Sequence, residues 1–493
     1  MPTQIATLLH SKSDAPTDGL ARASPEAHGV SSDAIEAFLQ EAARLGVELN
    51  SFMIWRGGDV IAEGWWKPYR ADRRHMMHSA TKSFLSAGVG LAIAEGRFGL
   101  DDKVVSFFPQ HLPDTLGPHL PLMTVEDLLT QTSGHAHGTS GAQWRGIATS
   151  WIAEFFKIPV PFKPGTAFRY TSATSFMLSA ILSQTTGDNA HAYLKPRLLE
   201  PLGIDDLAWD VGPENINPGG NGISARTADL LKLAILHLGG GVWNGDRILS
   251  EDWVRAAVTA KRGNPYGYHW WVGPRGAFYA YGVFGQFAFV FPDHNAIVVT
   301  TAATPYGEET LRSLIWTHFP AAFGPIPLPE TVVDAAPRSR WRNLDLLPSL
   351  ARSSPATQSA VSGKTVELEP NADNATHVRL EFGADRCVFH IEDSKGAHQV
   401  VCGLGDWIEG ETTVSGAPLH HGYEPASLKV VAGGQWTDPT TFEMTWQFVE
   451  TAFRDQVTLR FQGEAVTCDR TVNTNSLSTA RPTLRGQFVE KGN

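Results

Sequence analysis

The feature that most constrains this chain is an apolar helix that begins directly after a serine and a lysine. The segment HMMHSATKSFLSAGVGLAIAEG, residues 75–96, places Ser79 and Lys82 at the start of an apolar run that Gly96 closes. A helix that is apolar on nearly every side is stable only when it is buried. The sequence therefore predicts a dry environment around Ser79 and Lys82.

The Ser-x-x-Lys pattern has two interpretations. A serine is a favoured helix cap, and a lysine one turn later is commonly solvated. Alternatively, Lys82 lies on the same helix face as Ser79, and a desolvated amine removes the proton of the serine hydroxyl, which makes the hydroxyl a nucleophile. Among all the lysines of the chain, only Lys82 follows a serine at this spacing. This uniqueness favours the catalytic interpretation.

A second pattern with chemical meaning is Tyr170-Thr171-Ser172, which opens another apolar helical run. Tyr170 is the only tyrosine followed two positions later by Ser or Asn. A phenol beside a lysine can carry protons to and from a serine hydroxyl. A buried structural tyrosine is the alternative for this residue when the motif is read by itself.

Charge and composition exclude several partners. The net charge is −11, whereas nucleic acids and anionic membranes require a basic face, so we expect neither as a partner. We find no signal-like N-terminus and no run of about 18 apolar residues, which predicts a cytoplasmic location. The cysteines lack the spacing of a zinc site or disulfide framework, and we expect Cys387, Cys402 and Cys468 to be core thiols.

Hydrophobic patterns and composition divide the chain into segments. We expect an N-terminal extension over 1–23, a larger mixed helix-and-strand domain over 24–323 with a helical lobe at about 100–240, a Pro/Ser/Ala-rich linker over 324–364, and a small antiparallel β domain, barrel or sandwich, over 365–493. The first domain has an amphipathic helix near its start, a hairpin around Gly57-Gly58, strands near its end and a closing helix. This order predicts an α+β fold, in which helices flank one antiparallel sheet.

The motifs SATK, YTS and YGVFGQ, in this order, resemble the serine β-lactamase and penicillin-binding-protein superfamily. The resemblance spans about residues 24–320. Within that superfamily the chain is most similar to class C β-lactamase-like hydrolases, that is, family VIII carboxylesterases and aminohexanoate-dimer hydrolases. The resemblance implies that Ser79 is the acylated nucleophile and that Lys82 and Tyr170 are the proton-transfer pair.

The strand that carries YGVFGQ completes the site that the resemblance implies. A backbone N–H of this strand joins the N–H of Ser79 as an oxyanion hole, and the motif match assigns it to Val283, with a slip to Phe284 as the alternative. We also expect Ser172, Phe284 and Gln286 to contact substrate. The family usually has Lys-Thr-Gly on this strand, whereas Tyr281-Gly282-Val283 has no cation. This difference favours uncharged esters, lactones or small amides over β-lactams.

Other candidate sites have simpler interpretations. His135 and His137 are spaced like metal ligands, but no carboxylate accompanies them at helical spacing, so we expect a loop at the pocket mouth. Lys261-Arg262-Gly263 fits the Lys-x-Gly pattern that the YGVFGQ strand lacks, but it stands in a loop-like context, so we do not assign it to the site. We predict that the protein needs no metal and no cofactor. We expect its substrate to be a small ester, lactone or amide. A homo-oligomer is possible, and the sequence does not decide the oligomeric state. An acyltransferase, D-amino-acid peptidase or β-lactamase with the same acyl-enzyme, and a non-catalytic binding or sensor module, remain the alternatives.

Overall fold

The computed structural model describes residues 18–324, 328, 341 and 343–489. These residues form two compact units, which meet in the sequence between Leu344 and Asp345. Most of the predicted N-terminal extension, residues 1–17, lies outside the described residues, and so do residues 325–327, 329–340 and 342 of the predicted linker. None of the described helices has both the length and the hydropathy needed to cross a membrane.

The first unit is built on one sheet of eight strands. Its order is β1-β3-β2-β12-β11-β10-β9, and β13 also pairs with β3. Eight of the strands of this unit have only two or three residues and lie outside or at the edge of the main sheet. The strands are β1 (Ala21–Arg22), β2 (Leu49–Arg56), β3 (Asp59–Lys67), β4 (His75–Met76), β5 (Ala208–Trp209), β6 (Ile223–Ala225), β7 (Val242–Trp243), β8 (Asp246–Arg247), β9 (Trp271–Val272), β10 (Phe278–Gly282), β11 (Gln286–Phe291), β12 (Ala296–Ala302) and β13 (Leu344–Asp345).

Helices cover both faces of this sheet. They are α1 (Ser32–Arg44), α2 (Thr81–Ala94), α3 (Val104–Phe107), α4 (Val125–Leu129), α5 (Gly141–Arg145), α6 (Trp151–Lys157), α7 (Ser172–Thr186), α8 (Ala190–Leu194), α9 (Thr227–Leu238), α10 (Glu251–Ala257) and α11 (Glu309–Ala322). Helices α1 and α11 pack on one face, while α2 and α9 belong to the core on the other face. The predicted α+β architecture is therefore confirmed.

The residues of the strands show why helices must pack on both faces of the sheet. In β2, Phe52 and Ile54 enter the core shared with α1 and α11, whereas Met53 and Trp55 enter the core shared with the middle helices. Successive side chains of a strand point to opposite faces, so a strand buried on both sides is apolar throughout. The predicted hairpin is present, because β2 and β3 pair antiparallel up to Arg56 and Asp59.

Strand β1 pairs parallel with β3, through Ala21 with Asp59 and Arg22 with Val60. It lies in the segment that composition assigned to the N-terminal extension. Arg22 also forms an ion pair with Glu63 of β3 at 2.9 Å. These contacts make the described end of that segment part of the sheet, and two residues are too short a strand to give a periodic sequence signal.

The second unit is a closed barrel. Its elements are α12 (Ala356–Val361), β14 (Thr365–Leu368), β15 (His377–Phe382), β16 (Arg386–Asp393), β17 (Gly396–Leu404), β18 (Ile408–Thr412), β19 (Leu428–Asp438), β20 (Thr441–Phe448), β21 (Arg454–Gln462), β22 (Ala465–Val472) and β23 (Leu484–Phe488). The pairing of β17 with β19 closes a ring of nine strands. Strand β18 pairs with β19 but is not part of this ring. Of the two predicted forms, the barrel is the one found.

The barrel interior contains the three cysteines as free thiols. Cys387 and Cys402 lie opposite each other on β16 and β17, and burial raises the pKa of both. Since the thiolate is the reactive form of cysteine, these thiols are unreactive core residues, as the sequence analysis expected.

Candidate active site

Ser79 lies in a short helical turn rather than at the cap of α2. Strand β4 leads into a 3-10 turn, His78–Ala80, and α2 begins at Thr81 with Ala80 as its N-cap residue. No side chain caps this helix. The hydroxyl of Ser79 instead accepts a hydrogen bond from Lys82 Nζ at 3.0 Å. The cap interpretation of Ser79 is therefore wrong.

Lys82 is buried in an apolar environment, as the composition of α2 predicts. Its side chain is 1% exposed, and its Nζ also donates to the carbonyl of Gly220 at 2.7 Å. Burial lowers the pKa of Lys82 to about 7. In the described part of the chain no carboxylate forms an ion pair with this amine. Its two polar neighbours, Ser79 and Gly220, are both uncharged, so the charge of a protonated Lys82 has no counter-ion.

Tyr170 lies directly before α7, where Thr171 is the N-cap residue. Its phenol interacts with the side chain of Ser79, and Lys82 Nζ lies 4.7 Å from the centroid of its ring. Burial raises the pKa of Tyr170 well above its usual value, and the interaction with Ser79 offsets only part of this effect. The structure thus brings together the three side chains that the motifs selected, and it keeps the phenol protonated.

Strand β10 runs closely past the segment that contains Ser79. A Cβ atom at Gly282 would lie 2.2 Å from the carbonyl oxygen of Met77 and 3.2 Å from the nitrogen of Ala80. Only glycine permits this approach. In the described residues, neither the N–H of Ser79 nor that of Val283 donates a hydrogen bond within the protein. The N–H of Phe284, in contrast, donates to Glu308 Oε1 at 2.6 Å.

The three residues predicted to contact substrate lie around this centre, and each of them contacts other residues of the protein. Phe284 is fully buried and its ring packs edge-on against His78 at 5.3 Å. The amide of Gln286 donates to the carbonyls of Val283 and Ala302 and accepts from the N–H of Ala302. Ser172 packs against Gly220, the residue whose carbonyl binds Lys82.

An aromatic group borders Tyr170. The rings of Trp271 and Tyr266 lie 5.6 and 6.1 Å from the Tyr170 ring, and Phe168 lies 5.5 Å from Tyr266. Trp271 belongs to a strand whose aromatic richness was visible in the sequence. Its neighbour Trp270 is fully buried in the core.

Two groups near the site had no motif that could identify them. Gly220 contributes only a carbonyl, and it lies 138 residues after Lys82. Glu308 binds the turn after β10 from the start of α11, and its side chain is almost completely buried. Neither group belongs to a spacing pattern, so only the tertiary contacts reveal them.

The histidine candidates and the Lys261-Arg262-Gly263 candidate have different surroundings. His135 is buried beside Ser133 and Phe155, which lowers its pKa to about 4, and His137 is exposed. Arg262 forms an ion pair with Glu126 at 2.8 Å. Within the described ranges, no group of three or more His, Cys, Asp or Glu side chains is arranged to hold a metal ion.

Comparisons with known proteins agree with the fold of the first unit. A family model described as Beta-lactamase matches residues 32–322. The 6-aminohexanoate-dimer hydrolase of Paenarthrobacter ureafaciens is 25% identical over 285 residues, which cover 52% of this chain and 73% of that protein. Esterase EstB of Burkholderia gladioli is 28% identical over 158 residues, which cover 29% of this chain and 40% of the esterase.

Solved structures give the same fold at low sequence identity. A Bacillus anthracis chain described as a candidate 6-aminohexanoate-dimer hydrolase superposes with a TM-score of 0.54 at 17% identity, covering 64% of this chain and 90% of that chain. The hydrolase EstCE1 superposes with a TM-score of 0.50 at 18% identity, covering 59% of this chain and 98% of its own. Because the family model matches more than half of its residues, the chain is a serine hydrolase of the beta-lactamase family.

Proposed function

We propose that the protein hydrolyses a carboxylic ester, lactone or small amide through an acyl-enzyme on Ser79. The observation that carries the proposal is the buried amine of Lys82, which lies 3.0 Å from the Ser79 hydroxyl and has its pKa lowered to about 7. A general base is most effective when its pKa lies near the working pH. The nearby phenol has a raised pKa and is a poor base, so the proposal assigns the first proton transfer to Lys82.

The reaction then proceeds in two halves. Ser79 Oγ bonds to the substrate carbonyl carbon while its proton passes to Lys82. The tetrahedral intermediate collapses, the bond to the leaving alcohol or amine breaks, and that group takes a proton from Lys82 through the Tyr170 hydroxyl. Water then attacks the acyl-enzyme by the same proton path in reverse, which releases the acid and restores Ser79.

The negative charge on the former carbonyl oxygen needs hydrogen-bond donors. The N–H groups of Ser79 and Val283 are the proposed donors, because neither donates to another group in the described part of the protein. The alternative donor, the N–H of Phe284, is already bonded to Glu308. Donors that are fixed before the reaction stabilise the transition state without reorganisation.

The substrate class follows from the charges at the strand. The family usually has Lys-Thr-Gly on this strand, whereas Tyr281-Gly282-Val283 has no cation, and the Tyr281 hydroxyl donates to the carboxylate of Glu308. The strand therefore presents no cation for a substrate carboxylate. Relatives named as an esterase and an aminohexanoate-dimer hydrolase support ester and amide substrates.

The test is covalent labelling of the whole chain with a fluorophosphonate, followed by intact-mass measurement and peptide mapping. We expect one adduct, on Ser79, and no adduct in the Ser79→Ala variant. Ser83→Ala is the matched control, because Ser83 lies in the same helix, where its hydroxyl binds the carbonyl of His269, and this variant should label like the wild type. An unlabelled wild-type protein, or equal labelling of Ser79→Ala, would refute the proposal and favour a binding module.

A substrate panel then identifies the class. Short acyl p-nitrophenyl esters, lactones, D-amino-acid amides and a chromogenic cephalosporin are compared by kcat/KM, each with and without an added alcohol acceptor. We expect the neutral esters or lactones to be turned over fastest. A cephalosporin turned over faster than every ester would contradict the proposed class, and transfer to the alcohol would reveal an acyltransferase.

A further inference from the structure

One carboxylate from outside the strands binds the turn between β10 and β11. We propose that Glu308 is a positioning residue that holds this turn, residues 283–285, so that the N–H of Val283 faces the oxyanion. The inference rests on the proposed function, because it concerns the oxyanion donor of the same site. Glu308 acts through Val283 and makes no contact with substrate in this proposal.

The contacts of Glu308 bracket the proposed donor. Its Oε1 accepts from the N–H of Phe284 at 2.6 Å, and its Oε2 accepts from the hydroxyl of Tyr281. Tyr281 precedes Val283 by two residues and Phe284 follows it directly. The side chain that makes both contacts is only 3% exposed. A buried carboxylate with two fixed donors holds the N–H of Phe284 and the side chain of Tyr281, on either side of Val283 in the sequence, in one geometry.

Every other peptide group of the turn has a partner. The carbonyls of Val283, Phe284 and Gly285 accept from Gln286 Nε2, the N–H of Thr304 and the Thr300 hydroxyl, respectively. The N–H of Gly285 donates to Gly282. With Phe284 bound by Glu308, the N–H of Val283 is the one donor of the turn that has no partner in the described residues. The turn is thus constrained in a way that leaves this donor free.

The backbone of the turn needs such support. Phe284 has φ 70°, in the left-handed region that side chains other than glycine avoid. Glycine would adopt this conformation more easily, but it would lose the Phe284 ring, which packs against His78, the residue before Ser79. Glu308 also has a left-handed backbone, with φ 49°, and the N–H of Arg312 binds its carbonyl in the first turn of α11. The start of α11 therefore supports the strained turn.

Two conservative variants separate geometry from charge. Glu308→Gln keeps the length and can accept from Phe284 while its NH₂ donates to the Tyr281 oxygen. Glu308→Asp keeps the charge but is too short to keep both contacts. For hydrolysis of a neutral p-nitrophenyl ester by the full chain, we expect Glu308→Asp to lower kcat about 10- to 100-fold with little change in KM, because the oxyanion forms only in the transition state. Glu308→Gln should retain kcat within about threefold of the wild type.

A second readout measures oxyanion binding directly. Phenylboronic acid forms a tetrahedral adduct in which Ser79 Oγ bonds to boron and the serine proton passes to Lys82. Its inhibition constant should rise in Glu308→Asp in proportion to the loss of kcat/KM. Glu26→Asp is the control: Glu26 is 2% exposed and accepts from the N–H of Ser32 at 2.7 Å, next to α1. This control should alter stability and leave kcat and boronate binding unchanged.

Several results would overturn the inference. These are a Glu308→Asp variant with kcat within twofold of the wild type, a Glu308→Gln variant as impaired as Glu308→Asp, or a loss of kcat without weaker boronate binding. Failure of the wild type to label at Ser79 would instead refute the proposed function, and this inference with it. A labelled wild type with an unaffected Glu308→Asp variant refutes this inference alone.

Discussion

Lys82 determines how the proposed chemistry depends on pH. Its pKa is lowered to about 7 by burial, so the neutral amine that accepts a proton becomes the main form above that pH. We expect kcat/KM to rise with pH and to level off above a midpoint near 7. Tyr170 should cause no fall below about pH 10, because its pKa is raised. A profile that is flat between pH 5 and 9 would show that Lys82 is not the base.

The buried amine of Lys82 should also lower the free energy of unfolding, and the Lys82→Met variant tests this. The unfolded chain holds the proton of Lys82 up to its usual pKa of 10.5, whereas the folded protein releases it near 7. The cost of the buried charge is therefore complete below pH 7 and decreases as pH rises toward 10. We expect Lys82→Met to abolish turnover and to raise unfolding free energy by roughly 1–3 kcal/mol. Denaturant titrations should show a larger gain at pH 6 than at pH 9; the reverse order would contradict the prediction.

Tyr170 should matter for proton delivery and little for stability. Tyr170→Phe keeps the ring beside Lys82 and Trp271 and removes only the phenolic hydroxyl, which interacts with the Ser79 side chain. We expect kcat to fall by about 10²- to 10⁴-fold, with the melting temperature nearly unchanged. The variant should lose less activity on an ester with a good leaving group than on an alkyl ester, because a good leaving group needs no proton. Equal losses on both esters would argue against this role.

Among the secondary-structure elements, the close approach of β10 to the Ser79 turn is the most demanding contact of the site. Gly282→Ala would place a methyl group against the carbonyl of Met77, so the strand or the turn must shift. We expect kcat/KM to fall by about 10²-fold or more, since a misplaced donor loses its effect. Gly117→Ala is the matched control, because a Cβ there meets nothing within 4 Å, and it should behave like the wild type. Normal fluorophosphonate labelling of Gly282→Ala would contradict the prediction.

Elements with strong periodicity were predictable, whereas short ones were not. The α1 stripe, the hairpin at Gly57-Gly58 and the buried strands β11 and β12 all have the expected patterns. The 3-10 turn at Ser79 and the two-residue strand β1 have none, because three or fewer residues cannot express a period. The helix was expected to begin near Ser79, and it begins at Thr81. That small difference matters, because the serine is free of capping and its hydroxyl can bind Lys82.

In the whole molecule, the barrel contains a buried charge network that should govern its stability. Asp455 and His420 are fully buried, and Asp455 binds His420 Nε2 at 2.7 Å and Arg470 Nε at 2.7 Å. Burial by itself would raise the pKa of Asp455, but Arg470 and His420 outweigh it and the pKa is lowered. The stabilisation is therefore present above about pH 4 and is lost as the carboxylate becomes protonated at lower pH.

Asp455→Ala should destabilise the barrel by about 3–5 kcal/mol, because it leaves Arg470 without its buried partner. Hydrogen exchange of peptides from β20 to β22 measures this local stability separately from the first unit. Asp406→Ala is the control, since Asp406 pairs with Arg352 on the surface and is mostly exposed, and it should change little. Protection that is unchanged in Asp455→Ala would show that the network contributes nothing to barrel stability.

The sequence by itself determined the family, the order of the two units and the three side chains that meet at the candidate site. These depend on local patterns: apolar periodicity, residues three positions apart, and a strand motif without its cation. The tertiary structure decided the rest, namely the Gly220 carbonyl beside Lys82, the Glu308 contact with the turn between β10 and β11, and the closure of the barrel by β17 and β19. Each of these is a contact between residues far apart in the chain, and several use backbone atoms that every residue has. No spacing pattern encodes such contacts, because they exist only after the elements have packed.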